Sequence, residues 1–391
     1  MKKEVGIIGG GLSGLACAIQ LEKLNINYKL FESSNKVGGR VETYQRKNLN
    51  LDRGFQILLP SFGICKQLLD YDKLNLKHYP KGANLITKNG NEWFGLPLFF
   101  PKEYQVGKAL SPTLNDYFLL GIDVLKGFKN PKGNSFKTNG RFIDRYSQNF
   151  SEKFLQPFFR GVFLNQDWES NYKRFRYYLN CFLKNGAAVP ELGMQEIPKQ
   201  LLAQCNTESI LLEQKVDKIT DNKIISNKKE YKFDYIVCAT DLSNFYKLIN
   251  QPEPKNQWNV EWNYVLIKKG NTNLGPLNLV SKPSIVSHFN IPTLISSKMA
   301  PANIHAMIVN SAEKHQPHEI EKEIHQLTNE SEWTFVWEDH VPKATPKTTL
   351  TPKISNDHIN ICGDWTSYAS IEGALSSGSK TAKKLAKLIN E

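Results

Sequence analysis

The sequence is poor in the features that mark secreted, metal-stapled or membrane-embedded chains. Its six cysteines (Cys17, Cys65, Cys181, Cys205, Cys238 and Cys362) are far apart and form no CxxC pair. That spacing excludes a dense disulfide framework and a structural zinc site, and it fits reduced thiols. His315 and His318 have no third ligand near them in sequence, so they read as surface residues and no metal is expected. The longest apolar stretches, Leu96–Pro101 and Tyr117–Leu125, fall well short of the roughly 18 to 20 residues of a membrane-spanning helix. Integral insertion is thereby excluded, while peripheral contact stays open at Leu96–Lys102, an apolar loop with lysines nearby. The chain runs from Met1-Lys2-Lys3 straight into a strand-like segment, with no room for an export signal, so a cytoplasmic setting is the expectation. Arginine is scarce too: all eight lie between Arg40 and Arg176 in a chain whose net charge of +12 is carried mainly by lysine. The lysines are spread along the chain, which reads as a solvated basic surface with no nucleic-acid footprint. Where such a chain keeps arginine, a fork-shaped donor is the reason to look for.

A 40% hydrophobic content over 391 residues is ample for a large core and for two or three domains. Residues 4–8 (Glu-Val-Gly-Ile-Ile) read as a buried strand and Gly9–Gly11 as a tight turn. Leu12, Leu15, Ala16, Ile19 and Leu21 then form the apolar stripe of a helix. A second strand, Tyr28–Phe31, ends at Glu32 and completes a βαβ unit. Gly9, Gly11 and Gly14, with Leu12 and Ser13 between the last two, spell G-x-G-x-x-G, and Glu32 lies 18 residues beyond Gly14. Each glycine has a physical reason to be there, with a tight turn at Gly9, backbone approach to a pyrophosphate at Gly11, and close packing of helix on strand at Gly14. The acid suits a ribose hydroxyl and the helix N-terminus suits phosphate. This much predicts a dinucleotide site without separating NAD from FAD.

The next segments make that separation. Glu32-Ser33-Ser34-Asn35-Lys36-Val37-Gly38-Gly39-Arg40 is followed by Leu51-Asp52-Arg53-Gly54-Phe55-Gln56. An acid, a short spacer, Gly-Gly-Arg and then Asp-x-Gly resembles the extended fingerprint of the flavin amine oxidase and phytoene desaturase superfamily. Three later segments resemble the same family: Leu192–Pro198 leading into a helix, Lys215-Val216 as the strand whose backbone meets adenine, and Asp234–Asp241 returning to the first sheet. The last is Cys362-Gly363-Asp364-Trp365-Thr366 with Ser370-Ile371-Glu372-Gly373-Ala374. In that resemblance Arg40 donates to phosphate oxygens, Gly363 allows close cofactor approach and Asp364 bonds to ribityl or phosphate-side groups. The helix starting near Gly373 presents its positive end to the flavin. Gly38, Gly39, Gly54, Phe55, Gln56, Val216, Glu372 and Ala374 complete the implied cofactor set.

The resemblance implies an α/β fold, with an FAD-binding Rossmann-like domain of the glutathione-reductase type and an inserted α+β substrate domain. The FAD domain is expected from residues 1–60, 191–245 and 346–391, and the substrate domain from 61–190 and 246–345. Cys362 sits within a strand and no other cysteine or histidine is suitably spaced, so the FAD is expected to be noncovalent. Typical amine oxidases carry an aromatic residue where this chain has Ser370, and the Gly-Asp-Trp-Thr wording is closer to carotenoid desaturases. The implied activity is hydride transfer from an apolar, isoprenoid-like small molecule to flavin, with oxygen or a quinone as acceptor. An amine or protoporphyrinogen oxidase, or a flavin-dependent isomerase or binding protein, are the alternatives. No catalytic acid or base is identified. The aromatic clusters (Trp93, Phe94, Phe99, Phe100; Phe154, Phe158, Phe159, Phe163; Tyr177, Tyr178) read either as a tunnel lining or as helical core. Arg160, Arg174 and Arg176 read either as substrate anchors or as salt bridges within the fold.

Overall fold

The computed structural model describes residues 3–87, 90–95, 112–127, 142–164, 172–255, 257–281, 283–347, 350, 352 and 356–390. The opening βαβ unit forms as its apolar pattern dictates: β1 (Glu4–Ile8), α1 (Leu12–Lys23) and β2 (Asn27–Phe31). Around it lies a five-stranded parallel sheet in the order Ile359–Ile361, Tyr235–Cys238, β1, β2, Ile210–Leu211. Strands buried on both faces need unbroken apolar runs, and Tyr235–Cys238 and β1 have them. On one side α1 packs against the C-terminal helix Ile371–Asn390 so closely that a Cβ on Gly378 would lie 2.0 Å from the Ser13 carbonyl oxygen. The other side is covered by a three-stranded antiparallel meander, Val216–Thr220, Lys223–Ser226 and Lys229–Lys232, whose Ile219 and Ile224 join Ile8, Phe31 and Trp365 in one core.

A second, seven-stranded mixed sheet runs in the order Thr334–Pro346, Trp258–Lys269, Ile304–Ser311, His288–Asn290, Leu277–Val280, Gly82–Thr87, Gly90–Gly95. Only the Leu277–Val280 and Gly82–Thr87 pair within it is parallel. One face carries Tyr264, Leu266, Met307 and Val309 against Ile320 and Ile324 of the helix Pro317–Thr328. On the opposite face Val265, Ala306 and Ile308 pack on Leu49 and Leu51 of the hairpin Thr43–Arg46/Leu49–Asp52. The chain is therefore α/β with one parallel and one mixed sheet.

The aromatic-rich segment from about Pro60 to Pro190 has helix-like periodicity in sequence, but its start is not helical. Leu76–His78, Gly82–Thr87 and Gly90–Gly95 are strands. The last two complete the edge of the seven-stranded sheet, and Asn84, Leu85 and Ile86 find their register from residues 278–280, a long-range pairing that local periodicity does not report. The helices Leu114–Lys126, Gln156–Phe163 and Tyr172–Asn185 follow as expected. Phe94, Phe150, Phe154, Phe158, Phe159 and Phe175 interlock ring on ring between them. Most of the aromatic clusters are therefore core. Arg145 and Arg176 both reach the fully buried Asp123, while the Arg174 guanidinium lies 3.4 Å from the centre of the Tyr368 ring. Phe99, Phe100 and the Leu96–Lys102 loop lie outside the described residues. Among the described residues no helix is long and apolar enough to cross a membrane.

Candidate active site

One cavity of about 860 Å³ runs between the two sheets, and most of the residues singled out in the sequence line it. At one end the carboxyl ends of β1 and β2 meet. Gly9, with φ +108°, turns the chain, and a Cβ on Gly14 would lie 1.9 Å from the Gly9 carbonyl oxygen, so both positions require glycine. Gly11, by contrast, faces open space, since a Cβ there would meet nothing within 4 Å. Glu32 is buried, and its Oε2 accepts the Gly10 N–H at 2.7 Å. Its Oε1 accepts the Ser34 N–H at 2.8 Å and the Ser34 hydroxyl at 2.6 Å. Gly38, with φ +132°, donates its N–H to the Gly10 carbonyl at 2.9 Å, which brings the Gly38-Gly39 turn against the first glycine turn. Gly9, Gly11, Leu12, Ser13, Glu32, Ser33, Gly38, Gly39 and Val216 all line this end, together with Gln214 and Lys215.

In the middle, the Arg40 fork donates to Asp364 Oδ1 at 2.6 Å and to the Ala344 carbonyl at 3.0 Å. Gln56 Nε2 donates to the carbonyls of Arg40 and Arg53 at 2.9 and 2.7 Å, so it fixes the loop that follows Asp52. Asp52 itself accepts the Thr43 hydroxyl and the Met194 N–H, tying the Asp-x-Gly and Gly193-Met194 segments together. Burial pushes its carboxyl up to about 6 although both hydrogen bonds pull the other way. Arg40, Phe55, Gln56, Gly363, Asp364 and Ala374 line the cavity here.

Four expected residues stand behind this lining, one of them Gly54, which turns the chain with φ +74° beneath Glu261. Gly14 is inside the turn. Glu372 is buried and directed elsewhere, accepting the Gly63 N–H at 3.1 Å and the Tyr177 hydroxyl at 2.8 Å. Gly373 is pressed on the Tyr368 carbonyl, where a Cβ would come within 1.9 Å. Cys362 is fully buried, and burial holds its thiol up at about 12.

The far end is lined by apolar side chains of Leu59, Phe62, Val162, Leu164, Tyr178 and Phe182. The same cavity is lined by a buried carboxylate, Glu261, which the sequence offers no reason to single out. Its Oε1 accepts the Asn310 amide at 2.8 Å, and its Oε2 is 2.7 Å from where a Cβ on Gly54 would be. Burial, reinforced by Asp339 and opposed by the Asn263 and Asn310 amides, pushes its carboxyl up to about 7. His288, two strands away, is held neutral with its pKa down at about 3 by burial and by Arg160. The signal available for these residues was an alternation of the wrong sense: Asn259, Glu261 and Asn263 point inward while Val260 is 40% exposed.

A parallel sheet opening on G-x-G-x-x-G and a cavity extending from it to a second sheet define a nucleotide-dependent enzyme class, and comparison with known proteins narrows it. Residues 12–265 match the model of the flavin containing amine oxidoreductases, and the chain belongs to that family of flavin-dependent oxidoreductases. It is similar to the 4,4'-diaponeurosporene oxygenase of Staphylococcus aureus, 32% identical over 79 residues, which span 20% of this chain and 16% of the relative. Its fold is that of an oxidoreductase from Methanosarcina mazei (TM-score 0.76, 14% identity, 97% of this chain and 100% of the other). It is also that of cyclohexylamine oxidase from Brevibacterium oxydans (TM-score 0.70, 13% identity, 100% of both chains).

Proposed function

We propose that this chain is an FAD-dependent oxidoreductase that removes a hydride from a C–H bond of a largely apolar small molecule. The observation that carries the reading is the continuity of the cavity from Glu32 and Val216, past Arg40 and Asp364, to Leu59, Phe62 and Phe182. The residues fit FAD held without a covalent bond. Gly11, Leu12 and Ser13 at the start of α1, with Gly39 and Arg40, suit the pyrophosphate. Glu32 suits the ribose and the Val216 backbone the adenine. Gln56, Gly363, Asp364 and Ala374 suit the flavin half, and the described lining contains neither cysteine nor histidine. The five-stranded parallel sheet with its antiparallel meander supports a glutathione-reductase-type FAD domain built from 1–60, 191–245 and 346–391. The remainder then forms the substrate domain. When bound, FAD supplies a two-electron acceptor at flavin N5, later reoxidised by oxygen or a quinone.

The chain's own part is positioning and drying. The Arg40–Asp364 pair fixes the loop beside the cofactor, and the positive end of the helix Ile371–Asn390 favours negative charge near Ala374. The apolar wall excludes water and orients the substrate. Similarity to a protein named for diaponeurosporene supports an apolar, isoprenoid-like substrate. The test is the visible spectrum of the purified protein, recorded anaerobically before and after adding polyenes, amines and protoporphyrinogen. Acid-released FAD and bleaching by a polyene are the expected results. Bleaching by an amine or protoporphyrinogen alone would replace the substrate class. A colourless protein that cannot be loaded with FAD would sink the reading.

A further inference from the structure

The seven-stranded sheet carries a polar row where a purely structural sheet would be apolar. Asn263, Asn310 and His288 are direct cross-strand neighbours on three adjacent strands, so their side chains share one face. Farther along the same strands that face is apolar, with Val265, Ala306 and Ile308 on the hairpin. It turns polar where the hairpin ends and Gly54 begins, beside the cavity. Glu261 heads the row: 7% exposed, lining the cavity and held by Asn310. Burial of a carboxylate is costly unless a cation or several donors meet it. The cations lining this part of the cavity are committed to other acids, Arg40 to Asp364, Arg53 to Asp339 and Lys343 to Asp241. Glu261 makes no ion pair among the described residues. Further hydrogen-bonding capacity is unused along the row, since Asn310 Oδ1 and, two strands from Glu261, both ring nitrogens of His288 are buried without a partner among the described residues.

We propose that Glu261, braced by Asn263 and Asn310, is the substrate-positioning residue that receives a hydrogen-bond-donating group, a hydroxyl or an ammonium, on an otherwise apolar substrate. This rests on the reading of the cavity as a flavin and substrate site, and it deepens that reading: the substrate is an amphiphile, with its apolar body against Phe62, Val162 and Phe182 and its donor turned to Glu261. A bracing role alone, with Glu261 merely filling the space over Gly54, makes a different prediction, because glutamine fills that space equally well and still accepts from Asn310.

The experiment uses the flavin-loaded protein and three probes of one length, heptylamine, heptan-1-ol and heptane, with binding read from the flavin absorption spectrum and from the thermal transition. Wild type is expected to bind heptylamine and heptan-1-ol at least about tenfold tighter than heptane, the discrimination one charge-assisted or buried hydrogen bond supplies. E261Q is expected to lose about tenfold in heptylamine binding, to change little toward heptane, and to lose less toward heptan-1-ol. E261D, which keeps the charge on a shorter arm, is expected to recover part of the loss and stands in if E261Q does not fold. An E261Q protein with the wild-type heptylamine-to-heptane ratio overturns the inference, as does wild type that fails to bind heptylamine. Failure of the apolar reading looks different: ethylamine would bind as tightly as heptylamine, with the E261Q effect intact.

Discussion

Two buried glutamates face the same cavity from opposite sheets, and they are held in different ways. Glu32 ends β2, and its carboxylate is met by donors of its own neighbourhood: the N–H groups of Gly10 and Ser34 and the Ser34 hydroxyl. Glu261 lies in mid-sheet and is met by two side-chain amides, the nearer from a residue 49 positions away. A carboxylate met by backbone N–H groups exchanges its water for donors that the fold holds in place. One that leans on amide side chains has a smaller return for losing water. At the Glu32 end of the cavity the carboxylate is thus met by backbone donors, and at the Glu261 end it is not.

The largest expected effect tests that difference. The folded-state pKa of Glu261 is raised, from the ordinary 4.5 to about 7. The folded protein therefore holds a proton that the unfolded chain gives up, and the stabilisation it brings is complete below about pH 4.5 and is lost as pH rises through 7. Measured against E261Q by chemical denaturation, wild-type stability should fall by up to about 3 kcal/mol across that window. Asp52, raised to about 6, titrates in both proteins and cancels in the difference. Among the described residues, the charged group that acts on Glu261 is Asp339 from the neighbouring strand, and the Asn263 and Asn310 amides oppose it. Parallel curves for the two proteins would erase the contrast between the two carboxylates. Next in size is Glu32→Ala. Losing charge-assisted hydrogen bonds worth about 1.5–3 kcal/mol should weaken FAD binding roughly 10- to 100-fold while leaving FMN binding almost unchanged, as read by flavin fluorescence. Equal losses for FAD and FMN would reduce Glu32 to a brace for Gly10 and Ser34.

The same contrast explains what could be read from the sequence. Gly9, Gly11, Gly14 and Glu32 act within one βαβ unit, where φ, helix start and strand end are local properties; Gly9, Gly11 and Glu32 line the cavity and Gly14 packs on Gly9. Val216, Gly363 and Asp364 come from distant segments but carry recognisable turns. Arginine is kept where a donor meets an acid, as at Arg40, Arg53 and Arg176. Glu261 was illegible for a physical reason: alternation assigns polar residues of a strand to the solvent side, and at 259–263 the polar residues are inside and Val260 is out. Only the register with Asn310 and His288 shows that this inversion is a face of the cavity. The strand Gly82–Thr87 was hidden likewise, because one of its partners lies at residues 278–280. Glu372 was legible as part of a motif, but which way its carboxylate turns was not: it accepts from Gly63 and Tyr177 and does not line the cavity.

Ser370 sharpens the comparison from the small end, because it lines the cavity between the two glutamates without sharing either role. Its hydroxyl accepts the Gly373 N–H at 2.9 Å, and its carbonyl accepts from Ala374, so it caps the helix Ile371–Asn390. The serine at this position is thus explained by local helix chemistry. Ser370→Ala should cost about 1 kcal/mol of stability, the usual value of an N-cap, seen as a thermal transition lowered by a few degrees. Its effect on heptylamine binding should be far below that of E261Q. If Ser370→Ala instead left the transition unmoved and weakened amine binding tenfold, the polar wall would extend across the cavity, and Glu261 would be one of two positions receiving the donor.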